Sequence, residues 1–300
     1  MDPSTARRLV PVLALILAVA ACASDTQGPP DVGPGQIAFA SDRAASGQFD
    51  IYVMNANGTA AQRITTLLAF DFWPAWSPDA TRIAFVSDRD SQAGKFNLDV
   101  YVMNADGTSP VRVTADTAVD DEPAWSPDGT RLAFRSERDG NSEIYLANVD
   151  GTGLVRLTTN VASDVQPAWS PDGSRIAFVT DRDGDTEVYV MNADGTGALN
   201  LTGNAAASDL GPAWSPDGTR IAFHSNRDGA FAIFVMNADG SGPVRLTDVS
   251  TPAELPAWSP DGTRIAFDSN ADIYVMRADG TGRTRVTQTD PAEYAPRWRP

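Results

Sequence analysis

Apolar positions in this chain alternate with polar ones in short runs, and the runs return in a fixed order along its length. One such run reads Ile37 to Phe39, Ile83 to Phe85, Leu132 to Phe134, Ile176 to Phe178, Ile221 to Phe223 and Ile265 to Phe267. A second begins at Ile51, Val100, Ile144, Val188, Ile233 and Ile273, and a brief Arg-apolar-Thr run such as Arg112 to Thr114 or Arg245 to Thr247 follows it. A Pro-x-Trp segment precedes every set but the first and recurs at the end of the chain, with Trp76, Trp125, Trp169, Trp214, Trp258 and Trp298 spaced by 49, 44, 45, 44 and 40 residues. Alternation of this kind predicts strands rather than helices, and a period of this length predicts one four-stranded propeller blade per repeat.

Turn chemistry separates the strands. Ser-Pro-Asp-Gly follows the Trp, and Asn-Ala-Asp-Gly occurs at Asn104, Asn192 and Asn237. Pro presets φ, Asp bonds its own backbone and Gly accepts positive φ, so both segments predict tight hairpin turns. Helical capping signals are absent. The fold class is therefore all-β, a six-bladed β-propeller of four-stranded blades.

The chain ends predict closure. The first copy, Gln36 to Thr66, lacks a leading Pro-x-Trp strand, and Pro296 to Trp298 supply one with nothing after it. Together they make one blade, which leaves no free sheet edge. The expected organisation is residues 1–21 as a signal peptide, 22–35 as a lipidated cysteine and tether, and 36–300 as the propeller. About 44 residues per blade suffice for a single ring, predicted to be monomeric.

The amino terminus points to export. Arg7 and Arg8 precede an apolar run from Leu9 to Ala20, and Val19-Ala20-Ala21 stands before Cys22, the one cysteine. This resembles a bacterial lipoprotein signal, which implies cleavage before Cys22 and lipidation of that residue. A conventional signal-peptidase site with an incidental cysteine is the other reading. Ala23 to Gly35, rich in Gly and Pro, reads as a tether. Apolar runs past residue 35 are too short to span a bilayer, so membrane contact would come only through the lipid. Ala23 after Cys22 resembles outer-membrane sorting, which would place the ring on the periplasmic face of that membrane in a Gram-negative envelope.

Charge narrows the partners. The chain holds 23 basic and 39 acidic residues; without Asp2, Arg7 and Arg8 the balance is about −17, which disfavours nucleic acid. Lys95 is the sole lysine, so the basic residues are almost all arginine, suited to paired contacts with carboxylates.

The order Trp-Ser-Pro-Asp-Gly-Thr-Arg-Ile-Ala-Phe, Ser-Asp-Arg-Asp-Gly, Ile-Tyr-Val-Met-Asn-Ala-Asp-Gly and Arg-Leu-Thr resembles the WD40-like repeat of the TolB propeller family over about residues 36 to 300. That resemblance implies a non-catalytic propeller that binds an envelope protein or a peptidoglycan-associated partner. The best-known family member carries an additional amino-terminal α/β domain, which this sequence is expected to lack.

Recognition is expected on the face carrying the variable loops. The residues singled out there are the aromatics Phe70, Phe72, Trp73 and Tyr294, the enlarged loop Ser91 to Asn97, and the acids Asp121 and Glu122. An acid also stands three residues before the repeat Pro at Asp71, Asp120, Asp164, Asp209 and Glu293, with Glu254 displaced by one place. These six are expected near the channel mouth. Two roles are open to them: capping turns or pairing with an Arg of their own or the next blade, or forming a shared site for Ca²⁺, another cation or a basic ligand.

Catalytic signals are weak. There is no Gly-x-Ser-x-Gly, and His224 is the single histidine, too few for a metal-dependent lyase. The Asp181 to Glu187 segment alternates carboxylates but lacks EF-hand spacing and reads as a hairpin turn. No cofactor is expected. The alternative function is a carbohydrate-binding or carbohydrate-active propeller using channel-mouth carboxylates, with Trp73 or Tyr294 as a stacking platform.

Overall fold

The structure, a computed structural model, describes residues 35–91, 97–203, 206–288 and 291–300. The signal segment, Cys22 and most of the tether lie outside them, as does Lys95. Among the described residues there are twenty-four strands in six four-stranded antiparallel sheets, and no helix is long and apolar enough to cross a membrane. Blade 1 is built from both ends of the chain: its inner strand Glu293–Trp298 pairs with Gln36–Ala45, Ile37 standing opposite Trp298. Blades 2 to 6 begin with the inner strands Asp71–Trp76, Asp120–Trp125, Asp164–Trp169, Asp209–Trp214 and Glu254–Trp258. The predicted closure by the C-terminal strand is what the ring shows.

Each blade hides one phenylalanine completely: Phe39, Phe85, Phe134, Phe178, Phe223 and Phe267. Complete burial of such a ring is worth roughly 1.5–3 kcal/mol. Its neighbour across the ladder is aromatic as well, with centroids 5.7–6.1 Å apart in every blade, as in Phe85–Tyr101 and Phe134–Tyr145.

An arginine closes over this pair. In blade 3, the Arg138 guanidinium lies 4.7 Å from the Tyr145 ring centroid, its Nε donates to Ser136 Oγ at 2.8 Å, and its Nη2 reaches Asp120 at 2.9 Å. Arg89, Arg182 and Arg227 repeat the arrangement with Asp71, Asp164 and Asp209, and Arg43 does so with Glu293. Cation–π stacking, a hydroxyl acceptor and a fully buried carboxylate thus satisfy one guanidinium at a time.

Blade 6 lacks this arginine, carrying Ala271 at the equivalent place. Arg283, from the opposite hairpin, supplies the guanidinium instead, 4.5 Å from the Tyr274 centroid and donating to Ser269 Oγ at 3.1 Å.

Neighbouring blades are joined by a second arginine set. The last residue of each Ser-Pro-Asp-Gly-Thr-Arg turn stacks on the tryptophan of the next blade: Arg82 on Trp125, Arg131 on Trp169, Arg175 on Trp214, Arg220 on Trp258 and Arg264 on Trp298, at 4.6–5.9 Å. Blade 1 has Gln36 at that place, and Arg299 fills the gap. It donates to Gln36 Oε1 at 2.5 Å and stacks 5.0 Å from the Trp76 centroid.

The turns behave as their composition predicts. Asp128 Oδ1 accepts from Ser126 Oγ and from the Thr130 amide, which holds its carboxyl below the usual range. The same bonds hold Asp79, Asp172 and Asp217 down to about 2.

Two expectations follow. Asp209→Ala leaves Arg227 without its buried counter-charge and should cost about 3 kcal/mol, visible as a lower urea midpoint at unchanged slope; a loss below about 1 kcal/mol would mean that solvent screens the pair. Deleting residues 293–300 exposes the Gln36–Ala45 edge, so the truncated chain should sediment as higher oligomers, whereas a stable monomer would show that closure is dispensable.

Candidate interaction site at the channel mouth

Every inner strand carries a bulge just before its proline. Phe72 pairs with Val86 and Ala75 with Ala84, so Trp73 and Pro74 together oppose Phe85 alone. Equivalent shifts recur in the other five blades. Proline, with no amide proton to donate, fits at such a place. The residue before it is left-handed throughout: Trp73, Glu122, Gln166, Gly211, Leu255 and Ala295 have φ of 50–61°. Five of these are L-residues held in a strained region.

The bulge decides which side chains meet in the middle of the ring. A cavity of about 250 Å³ lies on the axis, and Trp73, Glu122, Gln166, Gly211 and Leu255 line it with the alanines of the Pro-Ala-Trp segments. In blade 1 the alanine is replaced by Arg297, which lines the same cavity.

The bulge amides are answered by side chains from the preceding blade. Gln166 donates to Glu122 Oε2 at 2.7 Å, Gly211 to Gln166 Oε1 at 2.7 Å, and Leu255 to His224 Nδ1 at 3.3 Å. The Ala295 amide donates to Asp268. Glycine is required at position 211, because a Cβ there would stand 2.8 Å from His224 Nδ1.

Burial dominates the electrostatics of this zone. The His224 imidazole is pushed down to about 3, with nothing nearby to favour its charged form. Burial raises the Asp268 carboxyl well above its usual range, reinforced by Glu254 across the ladder, and Asp268 Oδ1 has no hydrogen-bond partner. Asp121 is raised well above its range by burial and by Glu122, although Arg135 reaches its Oδ2 at 2.8 Å. Arg297 is lowered by burial, opposed by the nearby charges of Asp268 and Glu122.

Aromatic residues gather beside the cavity on blades 1 and 2. Phe70 stacks on Phe72 at 5.5 Å, Trp73 meets Phe72 edge-on at 5.4 Å, and Tyr294 stands 6.3 Å from Phe72. Phe49 contacts Phe70, Phe72 and Tyr294 at 5.3–5.9 Å. All five rings are partly exposed, and Leu67 and Leu68 beside them are 57% and 89% exposed.

The sequence-predicted residues therefore part company. Phe70, Phe72, Trp73 and Tyr294 come together. Phe49, Leu67 and Leu68 join them unforeseen; the place of Phe49 is filled by Leu98, Ser142, Thr186, Phe231 and Ala271 in the other blades, so no departure from the repeat marks it. Asp121 and Glu122 do not lie in an exposed loop: they belong to an inner strand, Asp121 buried against Arg135 and Glu122 on the cavity. Asp71, Asp120, Asp164, Asp209 and Glu293 are fully buried, each facing its own blade's arginine rather than the channel. Their place two residues before the bulge residue is the physical reason. Glu254 is partly exposed beside Asp268. Among the described residues no three His, Cys, Asp or Glu side chains are grouped to hold a metal ion. Of the enlarged loop, residues 92–96 lie outside the described residues.

The TolB beta propeller domain (PD40) family matches residues 91–166, 123–208, 162–251 and 195–300 in overlapping stretches. The chain belongs to this family. TolB from Acinetobacter baumannii is 22% identical, with a TM-score of 0.78 over 89% of this chain and 67% of that one. A structure from Agrobacterium tumefaciens, provisionally assigned as TolB, is 23% identical, with a TM-score of 0.71 over 89% of this chain and 100% of the other. Oligogalacturonate lyase from Vibrio parahaemolyticus is 17% identical, with a TM-score of 0.58 over 84% and 74%. At these identities the likeness is one of fold. Curated proteins give no match.

His224 makes a pH test possible. Its folded pKa lies below its unfolded value of about 6.5, so the unfolded chain alone takes up the proton and stability falls as pH drops from 6.5 towards 3. His224→Val, which places the valine of blades 2 and 4 there, should gain about 2 kcal/mol on wild type between pH 7 and 5. Urea unfolding at both pH values checks this, and parallel pH dependence of the two proteins would contradict the buried neutral imidazole.

Proposed function

We propose that this protein is a non-catalytic binding propeller of the cell envelope, carried on a lipid at Cys22, whose aromatic cluster on the variable face docks a protein partner. The observation that carries the reading is the gathering of Phe49, Phe70, Phe72, Trp73 and Tyr294, with Leu67 and Leu68, on two adjacent blades. The hydrophobic core of each blade accounts for its own repeat rings, whereas these aromatics fall outside the repeat and remain partly exposed. Rigid aromatics beside exposed leucines are the composition of a protein-binding hot spot. Family membership supports the same role, since propellers of the TolB type act generally through protein–protein contacts. The partner's contact segment would be apolar with basic flanks, matching the chain's net charge of −16. A peptidoglycan-associated envelope protein is the partner class we propose.

The face opposite the cluster supports attachment from below. Gly35 enters beside the Asn55 turn, its carbonyl accepting from the Ala56 amide, at the end of the hairpin remote from Phe49. The chain thus joins the ring at Gly35 on the regular-turn face, opposite the aromatic cluster.

In cells, a photo-crosslinking residue at Leu68 should trap a discrete envelope protein, and one at Thr130 on the regular-turn face should not. Phe72→Ala should cut the Leu68 product at least tenfold. Equal products from both positions would overturn the docking face, and unchanged membrane fractionation of Cys22→Ser would overturn the lipid anchor.

A further inference from the structure

The sixfold repeat is broken most sharply on the ring axis. Five blades place a small alanine on the cavity wall, at Ala75, Ala124, Ala168, Ala213 and Ala257, and the sixth places Arg297. A guanidinium introduced where its five counterparts are methyl groups reaches into the space the alanines leave. Arg297 donates to the Pro296 carbonyl at 2.9 Å, and among the described residues it enters no ion pair. That sets it apart from the arginines clamped over aromatic rings, whose charge is answered within the fold.

Glu122 is the carboxylate of the same wall. Its Oε2 accepts the Gln166 amide at 2.7 Å, and it too enters no ion pair among the described residues. The cavity thus presents one cation and one carboxylate that feel each other's charge without a direct ion pair. Gln166 stands beside them, and Trp73 and Leu255 form apolar wall. A third group is left over: Asp268, 5% exposed, has an Oδ1 without a hydrogen-bond partner and lies close enough to Arg297 to interact with its charge. Keeping an unpaired charge in such a place is costly unless something meets it.

We infer that the axial cavity is a binding site for a small zwitterion of the α-amino-acid class, its carboxylate on Arg297, its ammonium on Glu122 and a modest apolar side chain against Trp73 and Leu255. The volume of about 250 Å³ admits such a molecule and excludes a folded partner. Charged groups at opposite ends of the ligand select for both charges at once, since losing either one leaves a protein charge unpaired. The site shares Trp73 with the aromatic docking surface, but its charged groups, Arg297 and Glu122, lie outside that cluster, so the two are tested independently.

Calorimetric titration of the full-length chain in detergent tests this, with L-leucine, N-acetyl-L-leucine and L-leucinamide as probes. L-leucine should bind saturably and both blocked analogues at least tenfold more weakly. Arg297→Ala, which restores the residue of the other five blades, should weaken L-leucine at least tenfold and abolish its advantage over L-leucinamide. Glu122→Gln keeps an acceptor for the Gln166 amide and should abolish the advantage over N-acetyl-L-leucine. Circular dichroism and melting temperature establish that each variant is folded, and Arg297→Lys, retaining the charge, should bind better than Arg297→Ala. The inference is overturned if no probe binds, if N-acetyl-L-leucine binds as tightly as L-leucine, which would indicate a site for a peptide carboxyl end, or if both variants bind L-leucine like wild type.

Discussion

A guanidinium pressed between an aromatic pair and a buried carboxylate is the interaction on which this ring depends. Five acids are fully buried at the starts of the inner strands. Removing a carboxylate from water costs several kcal/mol unless its counter-charge is held in good geometry. Here the geometry is over-determined: the Phe–Tyr stack fixes the plane of the arginine, a Ser or Thr hydroxyl fixes its Nε, and the carboxylate takes Nη2. The clamp ties the inner strand of a blade to its second and third strands, so the order of the sheet is written in side chains as well as in the ladder.

The two departures from the repeat show how tightly this constraint is kept. Where the clamp arginine is missing in blade 6, Arg283 arrives from another turn and stacks on the same two rings, with the exposed Asp248 at 4.0 Å in place of a buried carboxylate. Where the inter-blade arginine is missing at Gln36, Arg299 arrives from the far end of the chain. In both cases position in sequence changes while position in space is preserved. Closure is therefore chemical as well as topological, because the last residues bring the guanidinium that the first blade lacks.

Blade number, strand order and closure were legible because they rest on local signals: alternation, turn chemistry and a repeated tryptophan. The site was legible only in part. Counting residues back from the proline assumes a regular strand, and the bulge inserts one residue there, which reverses the side that each preceding residue faces. Asp120 thus turns into the blade, and Glu122, read as part of an exposed acidic loop, lines the axis. Phe70, Phe72, Trp73 and Tyr294 were recognisable as departures from the repeat. Phe49 was not, since its approach to Phe72 joins blade 1 to blade 2 and no local pattern reports a contact across blades. Arg297 stood in plain view as Pro-Arg-Trp among Pro-Ala-Trp copies, but its meaning required knowing that the middle residue faces the axis.

The left-handed residue in every inner strand gives the ring an unusual division of labour. Six amides at the channel wall are withdrawn from their own ladders, and four of them are received by side chains of the blade before: Glu122, Gln166, His224 and Asp268. These bonds all run the same way around the axis, so from blade 3 round to blade 1 the wall is a directed chain in which each receiving side chain holds the bulge amide of the following blade. Changing one of these wall side chains therefore removes an acceptor not from its own blade but from the next one in chain order.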